Sequence, residues 1–177
     1  HSILTSGTPA MQAVANANRT GNTVHVFGLV ADPFGSGVGL TRDDPLDHPA
    51  HFVGIGSLLP MAPVIEMARE IYPGLESIGL VWNPSESNSE IFTIEARRVC
   101  LELGIELLEA TVDNSAGVFE AATSLAARGA DGLLMSGDNT VASAPNSILS
   151  TAKTARIPAF SILTGNAKLG ALFELGA

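Results

Sequence analysis

Apolar and polar positions alternate along the second half of the chain in blocks that predict strands followed by helices. The run SIGLVW at 77–82 is short, apolar and ends at Asn83-Pro84, which predicts a buried strand. A helix is predicted over 89–103, because four apolar positions recur at the spacing of one helical face: Phe92, Ala96, Val99 and Leu103. Gly104 follows as the expected C-terminal stop.

The same alternation continues toward the C-terminus. Further strands are predicted at 105–112, 131–136, 157–162 and 170–175. A helix with Ser115 as its N-cap and Gly129 as its stop separates the first two of these strands. Another helix covers most of 139–155 and is expected to begin afresh near Pro145, with Ser143 as its cap.

The first part of the chain has fewer regular elements. Strands are predicted at 2–7, 23–30 and 52–57. Thr8 is expected to cap a helix that has Pro9 at its first position. A second helix is predicted over 60–72, with Val64, Ala68 and Ile71 aligned on one face.

Strands that alternate with helices predict an α/β fold with parallel sheets covered by helices on both faces. We expect two lobes, with 1–57 as a partial N-terminal lobe, 58–162 as the C-terminal lobe, and 163–177 as a segment returning toward the hinge. The first lobe has only two good strands before the crossover, so the chain is expected to be a fragment of a longer protein.

Composition and charge exclude several classes of function. Apolar residues make up 46% of the 177 residues, which supports a substantial core, and the net charge is −9. Nucleic acid and anionic membranes require clustered Lys and Arg, so neither is an expected partner. The single cysteine, Cys100, lies within a helical pattern and predicts an inert buried thiol. No nucleophile elbow, Cys–His pair or zinc signature occurs, so we expect binding without catalysis and no cofactor.

Polar residues follow the carboxyl ends of the predicted strands, which in parallel sheets form the ligand-binding edge. The candidate ligand-binding residues are Thr8, Asp32, Asn83, Glu86, Ser87, Asn88, Ser89, Asp138, Asn139 and Thr140. Helix N-termini and hydroxyl groups suit the carboxylate of an amino acid, and the carboxylates of Asp32, Glu86 and Asp138 suit its ammonium. Each of these residues also has a structural interpretation, as a helix cap or as part of a turn before proline.

Two other features allow a binding role. Trp82 and Phe34 can stack on an aromatic ligand or belong to the core. His48 and His51 lie among aspartates, but their spacing matches no known metal site, so no metal is expected.

Several segments together resemble the periplasmic substrate-binding proteins of ABC transporters, in the subgroup associated with uptake of tryptophan and other aromatic amino acids. They are GTPAMQAVANA, VADPFGSG, GLVWNPSESNSE, ELLEATVDNSAGVFEAATSL and SGDNTVASA, in the expected order. The resemblance implies a type I periplasmic-binding-protein architecture, whose two lobes close about a hinge on a small ligand. Residues 43–51 depart from the short glycine-rich link of that family.

The resemblance implies an extracytoplasmic solute-binding component of an importer, which captures an amino acid, possibly aromatic, between its lobes. Its partners are then the small ligand and a membrane permease. The expected location is periplasmic, or extracellular and membrane-anchored, in a bacterium, and these 177 residues contain no recognisable signal peptide. Two alternatives stay open: an effector-sensing domain of a transcription regulator, and an enzyme of the racemase or isomerase kind.

Overall fold

The computed structural model describes residues 1–44 and 46–176. The strands are β1 Ser2–Ser6, β2 Val24–Val30, β3 Phe52–Gly56, β4 Ser77–Trp82, β5 Glu106–Thr111, β6 Gly132–Met135, β7 Ala159–Ser161 and β8 Phe173–Glu174. The helices are α1 Thr8–Ala17, α2 Met61–Ile71, α3 Ser87–Leu103, α4 Val118–Ala127, α5 Asn139–Ala142 and α6 Pro145–Ala155. The α/β class and the parallel strand arrangement predicted from the sequence are confirmed.

The chain divides into two compact units, of which the first comprises His1–Leu58. Its sheet has the order β1-β2-β3, and both pairs of neighbouring strands are parallel. A small core forms where α1 packs on one face of this sheet, from Met11, Phe27, Val30 and Phe52.

The second unit begins at Leu59 and contains a parallel sheet of order β5-β4-β6-β7-β8. Strands β4 and β6 lie inside this sheet, and the side chains of β6 are buried throughout. Within the segment 163–177, for which a return toward a hinge was predicted, β8 pairs with β7; residue 177 lies outside the described residues.

A glycine allows β4 to pack closely in this unit. A Cβ at Gly79 would lie 2.8 Å from Leu133 Cδ2 and 3.1 Å from Leu125 Cβ. Both neighbours belong to the buried core, so a side chain at this position has no room.

Several local predictions are wrong, mainly because neighbouring residues act as caps. Gly7, with φ of 88°, is the N-cap of α1, and Thr8 is the first helical residue. Asn114, rather than Ser115, caps the turn before α4, since its side chain accepts a hydrogen bond from the Ala116 N–H. The break at Pro145 is confirmed, but Ser143 ends α5 and Ala144 precedes α6.

Two predicted core positions also differ. Ile71 is 52% exposed, and Met61 and Ile65 complete the buried face of α2 instead. Leu103 is only half-buried at the end of α3. The prediction of an inert thiol is confirmed: Cys100 is buried, and burial raises its pKa to about 11.

None of the helices in the described part of the chain is both long enough and apolar enough to cross a bilayer.

Candidate functional site

The carboxyl ends of β4 and β6 form a polar edge of the second sheet. These strands pair in parallel, with Leu80 opposite Leu134, so the segments that follow them leave the sheet side by side. Eight of the residues proposed from the sequence lie in those segments: Asn83, Glu86, Ser87, Asn88, Ser89, Asp138, Asn139 and Thr140. Hydrogen bonds between the two segments connect most of them. We call this group of eight, together with Ser136, the β4–β6 edge.

Asp138 is the buried centre of the network at this edge. One of its carboxylate oxygens accepts hydrogen bonds from the Asn83 N–H at 2.6 Å and from the Ser89 hydroxyl. The other oxygen accepts from the Val141 N–H at 2.8 Å and so caps α5. Asp138 therefore ties the end of β4, the first turn of α3 and the start of α5 together.

Glu86 makes a second set of bonds between the same segments. Its Oε2 accepts from the backbone N–H and the side-chain amide of Asn139, at 3.0 and 2.7 Å. Its Oε1 accepts from the N–H and the hydroxyl of Thr140. Partial burial raises the pKa of Glu86, but the hydrogen bonds from Thr140 and Asn139 outweigh it and leave the pKa below its ordinary value.

Asn83 shapes the turn between β4 and α3. Its side-chain oxygen accepts from the Ser85 N–H at 2.9 Å, which is the turn expected of Asn before proline. Its side-chain nitrogen donates to the Thr140 hydroxyl at 2.9 Å. Both polar ends of this amide are therefore used within the protein.

The amino end of α3 is open. Glu86 occupies the N-cap position, but its carboxylate points to α5 and makes no cap bond to its own helix. The first N–H groups of this 17-residue helix therefore have no side-chain acceptor among the described residues. Such an end carries a partial positive charge that favours an anion.

Three buried oxygen atoms lie in the segments around this open end without a hydrogen-bond partner in the described part of the chain. They are Ser87 Oγ, Asn88 Oδ1 and Ser136 Oγ. Asn88 is 5% exposed, and its amide nitrogen donates to the Gly137 carbonyl at 3.1 Å, which connects the start of α3 to the end of β6. Buried polar atoms without partners are costly, so they indicate a place where a ligand or water completes the bonding.

Ser136 was not among the residues proposed from the sequence. It is 1% exposed and directly follows β6. The sequence contained one signal for this residue: Ser136 is the polar residue that directly follows the apolar run LLM. The glycine after it is required, because a Cβ at Gly137 would lie 2.6 Å from the Phe92 ring.

The two remaining proposed residues belong to the first unit. Thr8 is 3% exposed, and its hydroxyl has no partner within the described residues. Asp32 accepts from the Phe34 N–H at 3.0 Å and forms an ion pair with Arg42 at 2.8 Å.

The aromatic candidates are both covered by arginines. Arg97 lies over the Trp82 ring, 5.5 Å from its centroid, and also forms a two-bond ion pair with Glu109. Arg42 lies 5.2 Å from the centroid of Phe34. One face of each ring is therefore occupied by a guanidinium group of the same unit.

Comparison with known proteins decides the family. A family model described as ABC transporter substrate binding protein matches residues 2–177. The chain belongs to this family. For an ABC transporter substrate-binding protein, the carboxyl edge of a parallel sheet is the expected position of a ligand site.

One protein of curated function and two of known structure are similar to this chain. A tyrosine-binding protein of Clostridioides difficile is 26% identical over 170 residues, which are 96% of this chain and 48% of that protein. A conserved domain protein of Vibrio cholerae is 33% identical, with a TM-score of 0.88 over 98% of this chain and 56% of that one. An ABC domain from Streptococcus pneumonia, solved in complex with L-Trp, has a TM-score of 0.88 at 21% identity, over 99% of this chain and 58% of that chain. This substrate-binding protein chain thus spans about half the length of the relatives it matches.

Proposed function

We propose that this chain is the ligand-binding part of an extracytoplasmic solute-binding protein of an ABC importer, and that it binds a free amino acid without chemical change. The observation that carries the proposal is the open amino end of α3 with three buried oxygens around it that have no partner among residues 1–44 and 46–176. Family membership supports the role in import, a membrane permease as partner, and a periplasmic or membrane-anchored location.

Five residues of the β4–β6 edge have one of two roles in this proposal. Glu86 and Asp138 position the two loops, because their oxygens already accept hydrogen bonds from the protein. Ser87, Asn88 and Ser136 contact the ligand, since each has a buried oxygen that lacks a partner in the described residues.

An amino acid fits the unpaired groups. Its α-carboxylate is placed at the amino end of α3, where free N–H groups and the Ser87 hydroxyl can donate to it. Its ammonium is placed at Asn88 Oδ1, which is an acceptor. The tyrosine-binding relative supports an aromatic amino acid. Thr8 and Asp32 in the first unit stay predictions from the sequence.

The state of the ionisable groups argues against catalysis. A racemase needs a free acid and base, whereas the carboxylates of Glu86 and Asp138 are held by backbone and side-chain donors. The thiol of Cys100 is buried, and its pKa of about 11 keeps it protonated at neutral pH.

Isothermal titration with L-tyrosine, L-tryptophan and L-leucine tests the proposal, with tyramine as a ligand that lacks the carboxylate. At least one amino acid is expected to bind, and tyramine is expected not to. Ser136→Ala should weaken binding about fivefold to tenfold, since it removes one hydrogen bond to the ligand. The variant should unfold with a free energy no lower than that of the wild type, because the hydroxyl has no partner in the described part of the protein.

Ser161→Ala is the matched control. Ser161 is also a buried serine at the end of a strand, but its hydroxyl bonds to Leu163 and Asn166. This variant should lose stability and keep its affinity. Equal affinity in wild type and Ser136→Ala, or no binding of any amino acid, would contradict the proposal.

A further inference from the structure

A cavity of about 160 Å³ lies within the first unit, beside the amino end of β2. Three residues that can carry positive charge line it: His25, His51 and Arg19. Ala15, Val38 and Phe52 contribute apolar walls. No carboxylate is among its described lining residues, although the whole chain has a net charge of −9.

His25 is the buried polar group of this cavity. The residue is 0% exposed, and its ring packs 4.8 Å from the Phe52 ring, centroid to centroid. Its Nε2 forms a hydrogen bond of 2.7 Å with the Thr5 hydroxyl. Its Nδ1 is buried and has no partner within residues 1–44 and 46–176.

The unpaired nitrogen has a chemical consequence. A buried polar atom without a partner costs free energy, which an appropriate ligand recovers. When Nε2 accepts from Thr5, or when the ring is protonated, Nδ1 carries a hydrogen and requires an acceptor. An anionic oxygen is the acceptor that best suits a site that also contains His51 and Arg19.

We propose that the His25 cavity is a second ligand site that binds a small monocarboxylate, with its carboxylate on His25 Nδ1 and its apolar end against Val38 and Phe52. The volume is close to that of a cavity able to hold a benzene-sized guest. The cavity belongs to the first unit and the β4–β6 edge to the second, so the two sites are distinct.

The proposal predicts that binding is linked to protonation. In the free protein, burial and the nearby His51 lower the pKa of His25 below its ordinary value of 6.5, so the ring is neutral at pH 7. The charged groups that face it are His51 and Arg19, and neither favours the imidazolium. A bound carboxylate favours the imidazolium and raises the pKa of His25, so affinity should increase as the pH falls through the pKa of the complex toward the lower pKa of the free protein.

Histidine-labelled chain titrated with isobutyrate, and separately with isobutyramide, tests this site by NMR. Isobutyrate is expected to shift the His25 ring resonances and to raise the pKa of His25, whereas the neutral amide of the same shape is expected to do neither. Arg19→Gln should weaken isobutyrate binding roughly two- to fivefold, because Arg19 is exposed and its charge is screened.

Lys153→Gln makes the same change of charge in the second unit and should leave isobutyrate binding unchanged. Equal effects of isobutyrate and isobutyramide would show an apolar guest site and overturn the proposal. Unchanged His25 resonances at millimolar isobutyrate, or tighter binding at higher pH, would overturn it as well.

Discussion

At the residue scale, the polar groups of the β4–β6 edge differ in whether the protein itself satisfies them. Asp138 and Glu86 accept hydrogen bonds on both carboxylate oxygens. Ser136 and Asn88 keep buried oxygens without a partner in the part of the chain that is described. The first pair should therefore contribute mainly to stability, and the second pair mainly to ligand affinity.

Asp138→Asn should lower the free energy of unfolding by about 2–3 kcal/mol. The substitution replaces one of the two carboxylate oxygens of this buried residue with an NH₂ group. That group would face an N–H or hydroxyl donor and could not accept its hydrogen bond. Urea unfolding followed by circular dichroism measures the change. Asp113→Asn is the control, since Asp113 is exposed, and should stay within about 0.5 kcal/mol of wild type. Equal stability of the two variants would contradict a structural role for Asp138.

Glu86 should make the stability depend on pH. Its folded pKa is depressed, so its contribution is complete above its ordinary value of 4.5 and is lost as the pH falls through the folded value. The difference in thermal midpoint between wild type and Glu86→Gln is therefore expected to be largest near neutral pH and to shrink as the pH falls below 4.5. A gap that stays constant across this range would show that the carboxylate charge has no role.

At the element scale, α3 determines the geometry of the edge, and glycine fixes its far end. Gly104 has φ of 66° and ends the helix in the left-handed conformation, where a side chain is strained. Space is not the obstacle, because a Cβ at Gly104 would have no atom within 4 Å among the described residues. Any cost of a substitution there should therefore come from the backbone alone.

Gly104→Ala should reduce the free energy of unfolding by about 1 kcal/mol. Gly74→Ala is a matched control, since Gly74 also has open space around its Cβ position but no positive φ. Chemical denaturation of both variants compares them directly. A loss at Gly74 as large as that at Gly104 would show that the left-handed conformation is not the cause.

At the scale of the whole molecule, the two units have cores of different size. Among its described residues, the first unit buries a cluster of four apolar residues, and Leu4 and Val53 on its sheet are exposed. The second unit buries apolar side chains throughout β6 and along α4 and α6. Since burial of apolar surface is the main source of stability, the second unit should be the more stable.

Hydrogen exchange followed by mass spectrometry should show slower exchange for amides of β4 and β6 than for amides of β1 and β2. Leu133→Ala should lower protection in the second unit, with a loss of about 2–5 kcal/mol for a fully buried leucine. Leu101→Ala, at an exposed site on α3, should leave protection unchanged. Faster exchange in β4 than in β1 would contradict this order of stability.

Most elements could be predicted from the sequence, because a buried strand or a helix with one apolar face needs a regular pattern. The strand at 77–82, the break at Pro145 and the stop at Gly104 follow from local rules and are confirmed. Caps were predicted less well, as at Thr8 and Ser115. At these two places the preceding residue is the cap: Gly7 has a suitable backbone conformation, and Asn114 has a suitable side chain.

The sequence by itself determined the alternation of strands and helices, and with it the edge where the polar residues gather, since parallel strands bring their carboxyl ends together. Only the tertiary structure decided which polar groups are satisfied. Residues Glu86 and Asp138 looked from the sequence like partners for a ligand ammonium. Donors 53 and 55 residues away in the chain, Asn139 and Asn83, instead bond to one oxygen of each. The partner of a hydrogen bond depends on distance in space, and chain order does not contain that distance.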